Sequence, residues 1–250
     1  MSKGRAKIAM SQGLSVWVLE APEGFGDADF HAHHAIQITA SLSGALSLTS
    51  ANASLTGAIM AVAADARHRF EAHGLLVFIF VEPESRLGRA LTNRLFGDTD
   101  LVALDPSTMT ALEPLRSTFE HGLDIAALLS AGQALVERLA PQTESRMPDP
   151  RVQRIIDQAA ANLDRPLSLT SASEGVYLSP SRLRHLFVEQ TGLAFKTYVL
   201  WLRLVKALET YSTGQSLTEA AHSAGFSDSA HFSRVFRRTF GLPATTLTRL

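Results

Sequence analysis

The stretch Ala224-Gly-Phe-Ser-Asp-Ser-Ala-His-Phe-Ser-Arg-Val-Phe-Arg-Arg-Thr-Phe-Gly241 decides the fold of the second half of this chain. Phe232, Phe236 and Phe240 recur in it at helical spacing. Residues three or four apart share one face of a helix, so the spacing predicts an amphipathic helix. Its outward face carries mostly small polar and basic side chains, which are Ser229, Ala230, His231, Ser233, Arg234, Arg237 and Arg238.

The same pattern occurs once more, earlier in the chain. Leu183, Phe187, Gly192 and Leu193 recur 49 residues later as Phe232, Phe236, Gly241 and Leu242. In each copy a helix beginning at Leu-Thr, a tight turn and a second helix follow one another, which is the order of a helix-turn-helix. Ser179 is the expected N-cap of the earlier second helix and Pro180 its first residue. The outward residues of that helix are Ser181, Arg182, Arg184 and His185.

A helix of this kind fits the major groove of DNA, where exposed Arg, Ser and His side chains read base edges. Two matched helices in a repeat favour this interpretation over a solvated basic face. A module that binds DNA without sequence choice is the weaker DNA-binding alternative. The charge distribution agrees with either. The residues from Asp149 onward carry twelve basic and eight acidic side chains, so they have a net charge of +4 and the rest has −5, within a total of −1.

Residues 149–250 resemble the AraC/XylS family of regulators, through the quoted stretch and through Leu178-Ser-Pro-Ser-Arg-Leu-Arg-His-Leu-Phe187. The resemblance implies two helix-turn-helix subdomains joined by one long helix over Phe195 to Tyr211. It also implies that both second helices enter successive major grooves of promoter DNA, and that RNA polymerase is a partner. The base-reading positions it implies are Ser181, Arg184, His185, Ser229, His231, Ser233 and Arg234, with Arg182 beside them. Arg203, Lys206 and Arg237 suit phosphate contacts.

The first copy departs from the family pattern at its turn. Tyr177 stands where the family has glycine, the residue that the second copy keeps as Gly225. A left-handed backbone at Tyr177 would cost roughly 1 kcal/mol. Ala220 and Ala224 are smaller than the apolar residues common in the family, which predicts a lighter core in the second copy.

The first hundred residues predict β-structure. Segments 14–19, 35–40, 45–49 and 75–81 are short, rich in β-branched or aromatic residues, and separated by turn residues. Helical patterns follow over 85–96, 106–119 and 123–139, and a proline-rich stretch then marks a boundary. We therefore expect an α+β chain with a sensor and dimerisation domain over 1–140, a linker over 141–150 and an all-α DNA-binding domain over 151–250.

Histidines cluster in the β-rich part. His31, His33 and Gln37 have equal parity, so they share one side of an extended chain, while His34 points to the other side. With Gly44, Gly57 and His68 this order resembles the two cupin motifs, and it implies a β-barrel. The resemblance implies a metal site formed by His31, His33, Gln37 and His68, with Gln37 in place of the usual glutamate. Ala63 and Asp65 replace the expected proline and glycine of the second motif.

Three interpretations of the histidines stay open: a divalent transition-metal site, the wall of an organic-effector pocket, or a purely structural role. Four aromatic residues are available to line a barrel interior or to form core, namely Trp17, Phe70, Phe78 and Phe80. The stripe of Leu128, Leu135 and Leu139 suits either a partner helix in a homodimer or packing on the barrel. The chain has no cysteine, which excludes disulfides, thiol catalysis and cysteine-ligated zinc.

These observations predict a regulator that binds promoter DNA, is controlled by a small-molecule or metal effector, and is not an enzyme. We expect it in the cytoplasm, without a membrane partner, because no apolar run reaches the length of a membrane span. The alternative is a cupin-type metalloenzyme, a dioxygenase or isomerase, fused to a DNA-binding domain.

Overall fold

The computed structural model describes residues 6–11, 13–21, 24, 28–44, 46–115, 124–140 and 149–249. Contacts divide the chain into two compact units. The first comprises Met1–Glu144 with Phe236–Leu250, and the second comprises Ser145–Val235. The change of unit at residue 144 falls within the stretch 141–150, whose residues 141–148 lie outside the described part. The boundary between sensor and DNA-binding domains at this stretch stays a prediction.

Two antiparallel sheets form the core of the first unit. One has six strands in the order β1-β2-β8-β3-β6-β9, and the other has three in the order β5-β4-β7. The strands are β1 (Ala6–Ser11), β2 (Leu14–Ala21), β3 (Ile36–Ser43), β4 (Leu46–Ser50), β5 (Ser54–Thr56), β6 (Ile59–Val62), β7 (His68–Ala72), β8 (Gly74–Val81) and β9 (Leu101–Ala103). The four predicted strands are β2, β3, β4 and β8, and the other five were not predicted.

The two faces of the six-stranded sheet differ in composition. On β3, Ile36 and Ile38 belong to an apolar core that also contains residues of helices α1 (Arg86–Leu95) and α2 (Ile125–Leu139). Gln37 and Thr39 alternate with them and are equally buried. Because successive side chains of a strand point to opposite faces, these two polar residues lie on the face away from the helices.

Helix α2 packs directly on this sheet. A Cβ atom added at Gly132 would lie 2.4 Å from Cγ2 of Val16, so only glycine allows the observed approach. Leu128, Leu135 and Leu139 are buried in the same core, which assigns the predicted leucine stripe to packing on the barrel. A homodimer therefore needs another surface and stays a prediction.

The predicted helix over 106–119 is only partly correct. Asp105 caps its start, since its carboxylate accepts a hydrogen bond from the backbone N–H of Ser107. Residues Pro106–Ala111 nevertheless form a 3₁₀ helix. The backbone N–H of Leu112 accordingly bonds to the carbonyl of Met109, three residues earlier. Residues 116–119 lie outside the described part.

The remaining described elements are helical. They are α3 (Pro150–Ala160), α4 (Leu169–Ala172), α5 (Pro180–Thr191), α6 (Phe195–Ser212), α7 (Leu217–Ser223), α8 (Ser229–Phe240) and a 3₁₀ helix over Ala244–Arg249. Helices α4 and α5 form the first helix-turn-helix, α7 and α8 the second, and α6 is the predicted long connecting helix. Val152, Ile155 and Ala159 of α3 pack with Leu183 and Phe187 of α5 in one apolar core.

The prediction of strain at Tyr177 is wrong. Its φ is not positive, and Gly175 adopts the left-handed conformation of the first turn (φ 78°). Gly225 does so in the second turn (φ 80°). Helix α4 ends at Ala172. The glycine of the first turn therefore lies two residues earlier than the position, Tyr177, that the sequence repeat aligns with Gly225.

Candidate functional site

Helix α5 is the second helix of the first helix-turn-helix, and α8 is that of the second; we call these two the recognition helices. Helix α5 is capped as predicted. The Ser179 hydroxyl accepts a hydrogen bond from the backbone N–H of Arg182 at 3.3 Å, and Pro180 is the first helical residue. Leu183 and Phe187 are buried on one face. The predicted DNA-reading side chains are all exposed on the other face, namely Ser181, Arg182, Arg184 and His185.

The second recognition helix, α8, begins at a polar turn. The Asp228 carboxylate accepts a hydrogen bond from the backbone N–H of His231 at 2.6 Å, and this bond is the main reason why the pKa of Asp228 is lowered. Ser233 and Arg234 are exposed, whereas Ser229 and His231 are partly buried. Both helices thus present basic and hydroxyl side chains of the types that read base edges.

The predicted phosphate contacts have different surroundings. Arg203 donates hydrogen bonds to the carbonyls of Leu163 and Arg165 at 3.0 Å each. Lys206 is exposed and pairs with Glu209 at 2.8 Å. Arg237, which belongs to the first unit, pairs with Asp29 at 2.9 Å. Sequence reasoning did not find Asp29, because nothing in its local pattern marks a partner 208 residues away.

The barrel brings together His31, His33 and His68. His31 and His68 form an isolated antiparallel bridge through reciprocal backbone hydrogen bonds of 2.8 and 2.9 Å. One side-chain nitrogen from each of the three histidines lies within 4.8 Å of those of the other two, and all three residues are buried. Residues 37 positions apart in sequence therefore share one site, as the two motifs predicted.

Each of the three rings is held by a neighbouring backbone carbonyl. Nδ1 of His31 lies 2.8 Å from the Asp29 oxygen, Nδ1 of His33 lies 3.0 Å from the Ala35 oxygen, and Nδ1 of His68 lies 2.9 Å from the Ala66 oxygen. A carbonyl only accepts, so each Nδ1 carries the proton and each neutral ring has its lone pair on Nε2. Nε2 of His68 is buried, and no described atom hydrogen-bonds to it.

Gln37 completes the cluster. Its amide nitrogen donates a hydrogen bond to the Thr39 hydroxyl at 2.8 Å, which turns its oxygen toward Nε2 of His33, also at 2.8 Å. The Gln37 oxygen is an acceptor, so the contact with Nε2 of His33 is satisfied either by a proton on that nitrogen or by a cation bound to both atoms. Thr39 was not predicted, although it shares the parity of Gln37.

The surroundings keep the three rings neutral. Burial lowers the pKa of His31 to about 4, with a further contribution from His33. Burial also lowers the pKa of His33, and the pKa of His68 is lowered by burial and by the two other rings. Neutral imidazole is the form of histidine that ligates metal ions, because the lone pair must be available.

His34 has the opposite environment, as its parity predicted. Its Nδ1 lies 2.8 Å from the Asp65 carboxylate, and its Nε2 lies 3.4 Å from the Glu84 carboxylate. Burial opposes protonation of His34, but the two carboxylates outweigh it and raise its pKa to about 9. Asp65 has a φ of 61°, so it adopts the left-handed conformation for which the cupin pattern has glycine.

Aromatic side chains flank the histidine cluster. The ring of Phe80 lies 5.1 Å from His33 and 5.0 Å from Trp17, and Phe70 lies 6.1 Å from His31. Phe78 packs on Phe70 at 5.3 Å. Nε1 of Trp17 is buried, and no described atom accepts its hydrogen bond. The site therefore combines polar ligand atoms with apolar walls, which is the usual composition of a small-molecule site.

Comparison with known proteins identifies the second half of the chain. The family model of a helix-turn-helix domain matches residues 172–249. The chain is 31% identical over 134 residues to the HTH-type transcriptional regulator GbdR of Pseudomonas aeruginosa, covering 50% of this chain and 36% of that protein. It is 33% identical over 115 residues to the arabinose operon regulatory protein of Escherichia coli, covering 46% of this chain and 38% of that protein.

The solved structure of ToxT from Vibrio cholerae has a similar fold over the whole chain. The TM-score is 0.60 at 13% identity, with 100% of this chain and 99% of that chain covered. ToxT with a bound unsaturated fatty acid gives a TM-score of 0.57 at 14% identity, with 100% and 96% covered.

Helix-turn-helix geometry, the matched domain and the regulator relatives agree. Residues 172–249 match a helix-turn-helix domain, and about half of the chain is similar in sequence to transcription regulators, of which it spans less than half the length. The proteins it resembles in sequence here are regulators by name, so these relatives do not favour the metalloenzyme alternative. Among the described helices, none is long and apolar enough to cross a membrane.

Proposed function

We propose that this chain is a transcription regulator that binds promoter DNA through α5 and α8 and responds to an effector held by His31, His33, Gln37 and His68. One chain combines two capped helices, which expose Arg184 and Arg234, with a buried cluster of ligand-type side chains. This combination is the observation that carries the proposal. RNA polymerase is the expected partner at the promoter. A homodimer is a further expectation.

The donor set fits a divalent transition-metal ion. The three Nε2 atoms and the oxygen of Gln37 would hold it, and the carbonyls of Asp29, Ala35 and Ala66 would fix the ring orientations from outside. Such outer hydrogen bonds typically accompany histidine ligands in metal sites. A bound metal would supply a strong positive charge and open ligand positions. An organic effector against the aromatic walls is the other form of the same function.

The first unit also contains a route from the cluster to the end of α8. Arg237 pairs with Asp29, and the carbonyl of Asp29 accepts the hydrogen bond of His31. A Cβ atom at Gly241 would lie 2.4 Å from Nδ1 of His31, so the chain after α8 lies directly against this ring. We infer that effector binding at His31 changes the availability of Arg237 for phosphate.

The test begins with DNA that the full chain selects from a random duplex library. Arg184→Ala and Arg234→Ala should each weaken binding to the selected site by about 5- to 150-fold, because one good base contact is worth about 1–3 kcal/mol. Arg165→Ala removes the same charge from an exposed residue outside both recognition helices and should change affinity less than about threefold. Fluorescence anisotropy with and without added Zn²⁺ measures both DNA binding and the effector response.

The outcomes separate the DNA-binding interpretations. If all three variants weaken binding equally, and selected and random DNA bind alike across a salt titration, the chain binds DNA without sequence choice. If Arg184→Ala and Arg234→Ala leave the affinity unchanged, the assignment of α5 and α8 as recognition helices is wrong.

A further inference from the structure

The turn of the first helix-turn-helix presents one large side chain to solvent. Tyr177 is 96% exposed, whereas Ile125, the next most exposed large apolar residue of the described chain, is 47% exposed. The Tyr177 ring therefore makes almost no contact with the rest of the protein. Its presence in the turn has no explanation in the packing of this unit.

The backbone around Tyr177 is fixed by hydrogen bonds. The N–H of Val176 bonds to the carbonyl of Ser173 at 2.9 Å, and the N–H of Leu178 bonds to the carbonyl of Val176, also at 2.9 Å. The second bond makes Tyr177 the central residue of a three-residue turn. Val176 and Leu178 pack against the apolar core of this helix-turn-helix, so they hold the turn in place while the side chain between them extends into solvent.

This turn lies at the end of α5 that is expected to read bases. In a helix-turn-helix, the N-terminal residues of the recognition helix contact base edges. Helix α5 begins at Pro180, and Tyr177 precedes its N-cap, Ser179, by two residues. Because two residues span at most about 7 Å, Tyr177 lies at the edge of the groove that the N-terminus of α5 enters.

A cation lies beside the same turn. Nη1 of Arg154, in α3, donates a hydrogen bond to the carbonyl of Gly175 at 3.3 Å, and Arg154 is exposed. A guanidinium has five N–H donors, so this bond leaves others for a second acceptor. Arginine and tyrosine side chains both donate hydrogen bonds to DNA phosphates. Neither Arg154 nor Tyr177 is among the DNA contacts predicted from the sequence.

We propose that Tyr177 and Arg154 bind the DNA backbone beside the first recognition helix, with the Tyr177 hydroxyl donating a hydrogen bond to one phosphate. This inference rests on the proposed function and adds a contact that fixes the position of α5 without reading bases. The fixed turn favours this role. A tyrosine side chain has only two rotatable bonds, so it loses little conformational entropy when it binds.

The first test compares Tyr177→Phe with the unaltered full chain on the selected duplex, by fluorescence anisotropy. Loss of the hydroxyl should weaken binding by about 3- to 12-fold, which is within the range of one net hydrogen bond. The loss should be equal on duplexes that carry single base-pair changes, because a phosphate contact carries no sequence information. Tyr211→Phe removes the same group from α6 and should leave the affinity unchanged.

A second measurement locates the contact on the DNA. Phosphates are replaced one at a time by the neutral methylphosphonate. At one position beside the α5 half-site, this change should weaken binding of the unaltered chain and should affect Tyr177→Phe much less. Elsewhere the two chains should respond alike. Urea unfolding should give the same midpoint for both, because the exposed side chain contributes little to stability.

Salt dependence tests Arg154 separately. Arg154→Ala should lower the slope of log affinity against log salt concentration by about 1, because one phosphate contact by a cation is lost. Tyr177→Phe removes no charge and should leave the slope unchanged. Arg165→Ala removes the same charge as Arg154→Ala from an exposed residue and should also leave it unchanged.

Several results would overturn the proposal. Unchanged affinity of Tyr177→Phe is one, and equal methylphosphonate effects on both chains at every position is another. A loss that depends on one particular base pair would mean that Tyr177 reads a base instead. If Arg184→Ala and Arg234→Ala weaken binding while Tyr177→Phe does not, only this contact fails. If those two arginine variants also bind normally, the recognition helices themselves are wrongly assigned.

Discussion

His33 and His34 are neighbours in the chain and have opposite chemistry. His33 joins two other histidines and Gln37, and burial lowers its pKa. His34 lies between Asp65 and Glu84, and these carboxylates raise its pKa to about 9 although burial opposes them. Both residues are less than 5% exposed, so burial does not distinguish them. The difference shows that the charge on each side of the chain decides whether a buried histidine is a neutral ligand or a paired cation.

The largest expected effect separates the two histidine environments by metal binding. His68→Ala removes the ring whose Nε2 has no hydrogen-bond partner among the described residues. It should lower Co²⁺ affinity about 100-fold or more, because losing a ligand should cost at least as much as losing an outer hydrogen-bond partner of a ligand, which costs about 10–100-fold. His34→Ala should change it less than about threefold. Competition with a chelator of known affinity measures both values. Equal losses in the two variants would mean that the cluster is not the metal site.

The next effect concerns stability. In the metal-free chain, His34→Ala should lower the free energy of unfolding by about 2 kcal/mol, because it leaves the carboxylates of a largely buried pair without their cation. This value is below the roughly 3–5 kcal/mol typical of breaking a fully buried pair, because Asp65 is 44% exposed. Urea unfolding measures it, and His34→Gln is the matched variant that retains a hydrogen-bonding side chain.

Repeating the urea unfolding with added metal separates the two histidines further. A metal at 100 times its dissociation constant stabilises the folded state by about 2.7 kcal/mol. The unaltered chain and His34→Ala should gain this amount equally, and His68→Ala should not gain it. A failure of His34→Ala to respond would show that the two sides of the chain are coupled.

The smallest expected effect concerns Glu82, whose pKa is influenced by Glu84 and His34. Burial, helped by Glu84 and opposed by His34, raises the pKa of Glu82 to about 7 from its usual value of 4.5. The folded state therefore holds this proton more tightly than the unfolded state. The stabilisation is complete below about pH 4.5 and is lost as the pH rises to about 7.

Glu82→Gln should remove this pH dependence. Relative to the unaltered chain, the variant should gain on the order of 1–2 kcal/mol between pH 5 and pH 8, with allowance for the partial exposure of Glu82. Urea unfolding at several pH values measures the difference. Glu137→Gln, at an exposed position of α2, is the control and should show no such gain. Parallel curves for Glu82→Gln and the unaltered chain would contradict the prediction.

Much of the architecture was predictable because it depends on local pattern. Ser179 and Pro180 begin α5 as predicted, and the parity of His31, His33 and Gln37 placed them on the side away from His34. The strands that were missed are short or lie at sheet edges, where tertiary pairing decides the conformation. The turn at Gly175 was misplaced because the repeat aligns Tyr177 with Gly225, whereas the early end of α4 moves the bend.

The sequence by itself determined the elements whose causes are local: helix caps, amphipathic spacing and strand alternation. It also placed the ligand-type residues on one side of their strand. Only the tertiary structure decided what these residues face. The Thr39 hydroxyl turns Gln37 toward His33, Asp65 reaches His34 across 31 positions, and Asp29 meets Arg237 across 208. Such partners are set by how the chain returns on itself, and charge and hydrogen bonding act through space rather than along the sequence.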